Sequence, residues 1–145
     1  MSWFRKRVSW DDVIITEFKS PREICEFVRR NIRHKPESKD CWRWPKDAWA
    51  RGRGDCEEFA MIVHELCMIN GFVSEIYVAF SGGFKRTSGH VYVIGDGWFS
   101  SNGEYQQSNI PQLAMHEQLF WPNAVSRIVP ADALMRLCLK GRELT

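Results

Sequence analysis

The segment RGRGDCEEFA, residues 51–60, holds the side chain best placed to do chemistry. Cys56 follows Gly52, Gly54 and Asp55 and opens a run of apolar residues at helical spacing. It therefore falls in the first turn of a helix. The free N–H groups and the dipole at that end stabilise an anion. A thiol so placed is expected to ionise below its usual range, and the thiolate is the nucleophilic form. Gly52 and Gly54 let the backbone approach closely and leave room beside the sulfur. Asp55 suits the N-cap. Most cysteines are small buried hydrophobes. Cys25, Cys67 and Cys138, each in an apolar helical pattern, read that way. Cys56 differs from them by its position.

A cysteine nucleophile needs a base, and the chain has four histidines. His34 stands beside Pro36 in a charged loop, His64 falls on the polar side of the Cys56 helix, and His116 is in a poorly patterned stretch. His90 follows Ser88-Gly89 and opens the strand Val91-Tyr92-Val93-Ile94, a position suited to facing a helix N-terminus. The base in turn needs a group that fixes its tautomer. A three-residue loop Gly95-Asp96-Gly97 pairs Ile94 with Trp98, Tyr92 with Ser100 and His90 with Asn102, which brings the last two to ~5 Å on one face. A two-residue Asp96-Gly97 loop pairs His90 with Gly103 instead and turns Asn102 to the other face. A triad of Cys56, His90 and Asn102 thus predicts the longer loop. The simpler reading of Asn102-Gly103 is a turn.

These residues must be held by a framework. At 145 residues, with 44% apolar residues, the chain suits a single domain spanning 1–145 with one modest core. The net charge of +2 favours no polyanion partner, and the basic runs read as solvated faces, so no nucleic-acid partner is expected. The first ten residues, MSWFRKRVSW, lack the apolar run of a secretory signal, and no stretch approaches the ~20 apolar residues of a membrane span. Five cysteines without a CxxC pair then read as reduced thiols in a cytoplasm, a host's for a phage-borne chain.

Ser20-Pro21 starts a helix that ends near 31–34. A short helix is expected at Pro45–Ala50 and a long one over 56–70, stopped by Asn70-Gly71. On the long helix Phe59, Ala60, Ile62, Val63, Leu66, Cys67 and Ile69 form the apolar side, and Glu57, Glu58, Met61, His64, Glu65 and Met68 the polar one. Strands are expected at 73–80, 90–94, 98–101 and 124–129, and a last helix at 130–140. Helices followed by an antiparallel sheet make the fold class α+β.

The run Asp40-x-Trp42-x-x-Pro45-x-Asp47, then Gly52-x-Gly54-Asp55-Cys56-Glu57-Glu58-Phe59-Ala60, resembles the bacterial transglutaminase-like cysteine proteinases. Gly89-His90-Val91-Tyr92-Val93 and Trp98-x-x-x-Asn102 are similar to the later half of the wider transglutaminase-like superfamily. The resemblance covers about 40–103. It implies a papain-like α+β fold with a central Cys-bearing helix on a small antiparallel sheet. Cys56 is then the nucleophile, His90 the general base and acid, and Asn102 the orienter, where the family more often has Asp. Trp42 and Asp55 are expected at the oxyanion side of the site. Trp44, Arg53, Tyr92 and Tyr105 are expected along a groove for a peptide or protein substrate. Some relatives bind calcium through acidic residues near the site. Asp55, Glu57 and Glu58 are acidic here, but consecutive helical residues diverge, so no metal or other cofactor is assigned.

The leading expectation is a thiol hydrolase acting on an amide bond, a peptidase or amidase. Transfer of the acyl group to an amine uses the same first step. A binding module that kept the fold and lost activity is the alternative outside enzymes, and the register of His90 against Asn102 separates the two. A metal site from His64 and Cys67, completed by Cys56 or His90, matches no zinc spacing.

Overall fold

The computed structural model describes residues 8–36, 43–81, 89–108 and 124–128, with side chains described except at 78–81, 89–90 and 124–128. Expectations for Trp42, Cys41, His116, Cys138 and the helix at 130–140 lie outside the described residues.

Helix α1 (Trp10–Val13) is capped by Ser9, and helix α2 (Pro21–Asn31) by Ser20, whose Oγ accepts the Glu23 N–H at 3.1 Å. Pro21 sits in the first turn, where its missing N–H costs nothing. Ile24, Cys25 and Val28 bury the inner stripe of α2 completely. Strand β1 (Arg33–His34) follows at once. Helix α3 (Pro45–Arg51) ends at Gly52, whose φ of 70° is the left-handed conformation that closes a helix. Strand β2 (Arg53–Gly54) then pairs in parallel with β1, Arg33 opposite Arg53 and His34 opposite Gly54. This ribbon leads into the long helix α4 (Cys56–Ile69).

The rest is one antiparallel sheet in the order β6-β5-β4-β3-β7, formed by β3 (Ser74–Ser81), β4 (Gly89–Gly95), β5 (Trp98–Ser101), β6 (Glu104–Gln107) and β7 (Ala124–Ile128). Side chains alternate across it. Ile76, Val91, Val93 and Trp98 pack with the helices, while Tyr77, Tyr92 and Ile94 form a separate cluster with Phe99.

The expected polar side of α4 holds only for its second half. Glu57, Glu58 and Met61 are buried, because α2 and α3 pack on α4 as well as the sheet. The first two turns are enclosed on every side. His64 and Glu65 are half-buried and Met68 is exposed, as the pattern predicts.

The loop between β4 and β5 corrects the expectation on which the triad register rested. Gly95 pairs with Trp98, Ile94 with Phe99, Val93 with Ser100 and Tyr92 with Ser101, so the loop is the two-residue Asp96-Gly97. The reason lies in Trp98. Its indole crosses the backbone of Gly95, where a Cβ would overlap the ring. Glycine is needed there as a strand residue, covered by the aromatic across from it, rather than as a loop residue.

Candidate active site

Two loops and one strand converge on the start of α4. Asp55 is its N-cap, and the cap is reciprocal. The Asp55 side chain accepts from the first-turn N–H groups, at 2.8 Å from that of Cys56, and Glu58 Oε2 accepts the Asp55 N–H at 2.9 Å. Glu58 is fully buried and its charge is met by Arg43 Nη1 at 2.6 Å and Arg51 Nη1 at 3.8 Å. Gly54 makes this possible: a Cβ on residue 54 would lie 2.6 Å from Glu58 Cβ. The ribbon brings His34 against the same cap, with Nε2 3.6 Å from Asp55 Oδ1 and its ring beside Phe59.

Cys56 is buried, 7% exposed, and its thiol donates to Glu57 Oε2 at 3.3 Å. The backbone N–H of Val91, on β4, acts on the thiol in the direction that favours its ionised form. Strand β4 packs on α4, with Val91 and Cys56 in one buried cluster. His90 is the chain neighbour of Val91 and is paired in β3 with Ala79. The His90 ring lies outside the described side chains.

Asn102 is brought to the helices by the β5–β6 turn. It has φ 52° and is followed by Gly103 at φ 79°, the left-handed pair of a tight hairpin. A Cβ on Gly103 would press on Arg29 Cγ at 2.9 Å and on Phe59, so the turn packs directly on α2 and on α4 one turn after Cys56. Asn102 Oδ1 is buried and has no hydrogen-bond partner among the described residues.

The electrostatics overturn the expectation of an acidified thiol. Burial pushes the Cys56 thiol well above its ordinary range, and the carboxylates of Glu57 and Asp55 push it further. The Val91 N–H acts the other way but does not prevail. Glu57 is itself raised to about 7, first by burial and then by the charge of Glu58. Its Oε1 is buried without a partner among the described residues. The sequence signal for this was present: acidic residues on both sides of the cysteine.

The same two carboxylates do not diverge as expected. The ligating atoms of Asp55, Cys56 and Glu57 lie within 4.8 Å of one another. Two carboxylates, one of them with an unpartnered oxygen, fit a hard cation, although the thiol does not. His64 Nδ1 is hydrogen-bonded to Ser74 Oγ at 2.8 Å, and Cys67 lies in the core.

Of the expected groove residues, Trp44 is 48% exposed and Arg53 is exposed. Tyr92 is a correction: it is buried among Tyr77, Ile94 and Phe99, because strand alternation turns it away from the face on which Val91 and Val93 meet the helices. Tyr105 is half-buried, stacked on Trp98 beneath the Arg22 guanidinium. His34 was not singled out by the sequence. Its position depends on a parallel pairing between segments twenty residues apart, which leaves no local pattern.

A helix opening on a cysteine, enclosed by helices and laid on a small antiparallel sheet, defines an α+β fold of the transglutaminase-like type. The structure is similar to that of LapG from Legionella pneumophila, a transglutaminase-like cysteine protease, with a TM-score of 0.57 and 16% identity over 89% of this chain and 85% of that one. The EGTA-treated form of LapG gives a TM-score of 0.52, also at 16% identity, over 89% and 86% of the two chains. Compared with protein-family models and with curated proteins, the sequence matches none. Among the described residues no helix is long and apolar enough to cross a membrane.

Proposed function

We propose that the protein is a cysteine hydrolase of amide bonds, a peptidase or amidase, with Cys56 as nucleophile, His90 as base and Asn102 as orienter. The observation that carries this reading is the packing of β4 on α4, which puts Val91, the residue after His90, in the same buried cluster as Cys56. The unpartnered, buried Oδ1 of Asn102 supports it, as does the fold shared with LapG. In the first step His90 takes the thiol proton and sulfur adds to the carbonyl carbon. The C–N bond breaks and the amine leaves with that proton, giving a thioester. Water then adds, the C–S bond breaks, and the acid and free thiol are released. An amine in place of water would give acyl transfer. Asp55 and Glu57 are the residues that would hold a calcium ion, whose charge would offset the carboxylates that keep the thiol protonated.

A second reading, a binding module without activity, is favoured by one observation. The two-residue loop continues the pairing toward His90 opposite Gly103 rather than Asn102. The deciding experiment measures alkylation of Cys56 by iodoacetamide against pH, with and without calcium, in the wild type and in His90→Ala. Hydrolysis requires a condition in which Cys56 reacts near neutral pH and the His90→Ala variant loses that reactivity. A Cys56 inert in every condition rejects it.

A further inference from the structure

The outer face of the β1–β2 ribbon carries charge that the fold does not use. Arg33 and Arg53 are register partners in a parallel pair. Their Cα atoms therefore stand at the ~4.8 Å spacing of adjacent strands, and their side chains leave on the same face. Both are exposed, as is Lys35. Like charges side by side oppose the pairing. Among the described residues neither arginine has a carboxylate partner. Arg43 and Arg51 differ, because both face the buried Glu58. The opposite face of the ribbon looks inward, since a Cβ on Gly54 would overlap Glu58. Strand alternation thus sends Arg53 outward.

The position gives this pair a role. Arg53 precedes Cys56 by three residues, which keeps the two Cα atoms within ~10 Å. An extended substrate advances ~3.3 Å per residue. Two or three residues of such a chain span the separation of the Arg53 and Cys56 Cα atoms. Their planar forks match a carboxylate, each able to make two parallel hydrogen bonds. A net charge of +2 provides no broad field of the kind that draws a polyanion, so a nucleic acid is the poorer match.

We propose that Arg33 and Arg53 form a carboxylate-recognising subsite through which the Cys56 site selects peptide segments bearing Asp or Glu two or three residues from the scissile bond. The link to cleavage rests on the hydrolase reading; the binding of the carboxylate does not.

The test uses the full chain carrying Cys56→Ala, so that turnover does not interfere. Anisotropy of a fluorescein-labelled decapeptide with two Glu residues is compared with its Gln counterpart. The Glu peptide is expected to bind at least tenfold more tightly, and Arg33→Gln/Arg53→Gln is expected to abolish the difference. Arg30→Gln/Lys46→Gln, an equal charge change at exposed positions, is expected to keep it. Equal binding of the two peptides, or a preference that survives loss of both arginines, overturns the proposal. So does an oligothymidylate of equal charge that binds more tightly than the Glu peptide. With Cys56 intact, saturating Glu peptide is expected to slow its alkylation at pH 9, and an unchanged rate separates the subsite from the thiol and overturns the link. A Glu preference that persists in a protein with no peptidase activity removes the hydrolase reading and leaves the subsite supported.

Discussion

Replacing Glu57 with glutamine tests the electrostatics of the thiol site without touching its packing. The carboxyl is 4% exposed and is raised from 4.5 to about 7. A carboxyl whose folded value is raised binds its proton more tightly in the native state than in the unfolded one. Stability therefore falls as pH rises between those two values and stays lower above them. The loss is under ~1 kcal/mol at pH 5 and ~3 kcal/mol at pH 8, a change of ~2–3 kcal/mol. Glutamine removes this dependence. Its oxygen can still accept from the Cys56 thiol, while its amide nitrogen takes the place of the unpartnered Oε1 and costs ~1–3 kcal/mol at every pH. The informative quantity is thus a double difference: the variant gains ~2–3 kcal/mol on the wild type between pH 5 and pH 8. Urea denaturation of both proteins at both pH values, in EGTA to hold divalent cations away, measures it through the midpoint at constant slope. A wild-type-to-variant difference that does not change with pH would refute the reasoning, because it would mean that Glu57 titrates at an ordinary value.

The other expected outcomes concern the same region. In EGTA, Cys56 should react with iodoacetamide more slowly at pH 7 than a free cysteine does, because burial and two carboxylates hold it protonated; peptide mass spectrometry showing a faster rate contradicts this. Glu58→Ala should cost ~3–5 kcal/mol in thermal or urea unfolding, since it strips Arg43 and Arg51 of a fully buried partner and opens the cap of α4. Gly54→Ala should cost ~1–3 kcal/mol by pressing on the Glu58 side chain, and an unchanged midpoint would show that the ribbon yields freely. Gly95→Ala should displace the Trp98 indole, lower stability by a similar amount and shift tryptophan emission to the red; unaltered emission and stability count against the Gly95–Trp98 pairing.

The helices α2, α3 and α4 and strands β3, β4, β5 and β7 were legible because each carries its own signal. Ser20-Pro21, Pro45 and Asp55 mark helix starts, and β-branched runs mark the strands. The ribbon β1–β2 was not, since two residues per strand leave no period to read. Strand β6 was missed for a related reason: Glu104–Gln107 is polar on both faces, and only its pairing with β5 makes it a strand. The buried first half of α4 was misjudged because burial there is imposed by α2 and α3, which no periodicity within 56–69 reports.

The register between β4 and β5 shows where a pattern stops deciding. Gly95-Asp96-Gly97 serves equally as a three-residue loop or as a strand glycine followed by a two-residue turn, and apolar alternation on β5 tolerates both. What breaks the tie is volume. An indole at 98 needs a position across from it without a side chain, and only glycine at 95 provides one. The cost is carried by the site, because Asn102 then meets the helices through a left-handed turn rather than through the ladder. A strand residue is aimed by its register. A turn residue is aimed by the packing of the turn, here Gly103 against Arg29 and Phe59. Any orienting role for Asn102 therefore depends on the fit of Gly103 beneath it, a contact between residues 44 positions apart that no reading of the hairpin alone contains.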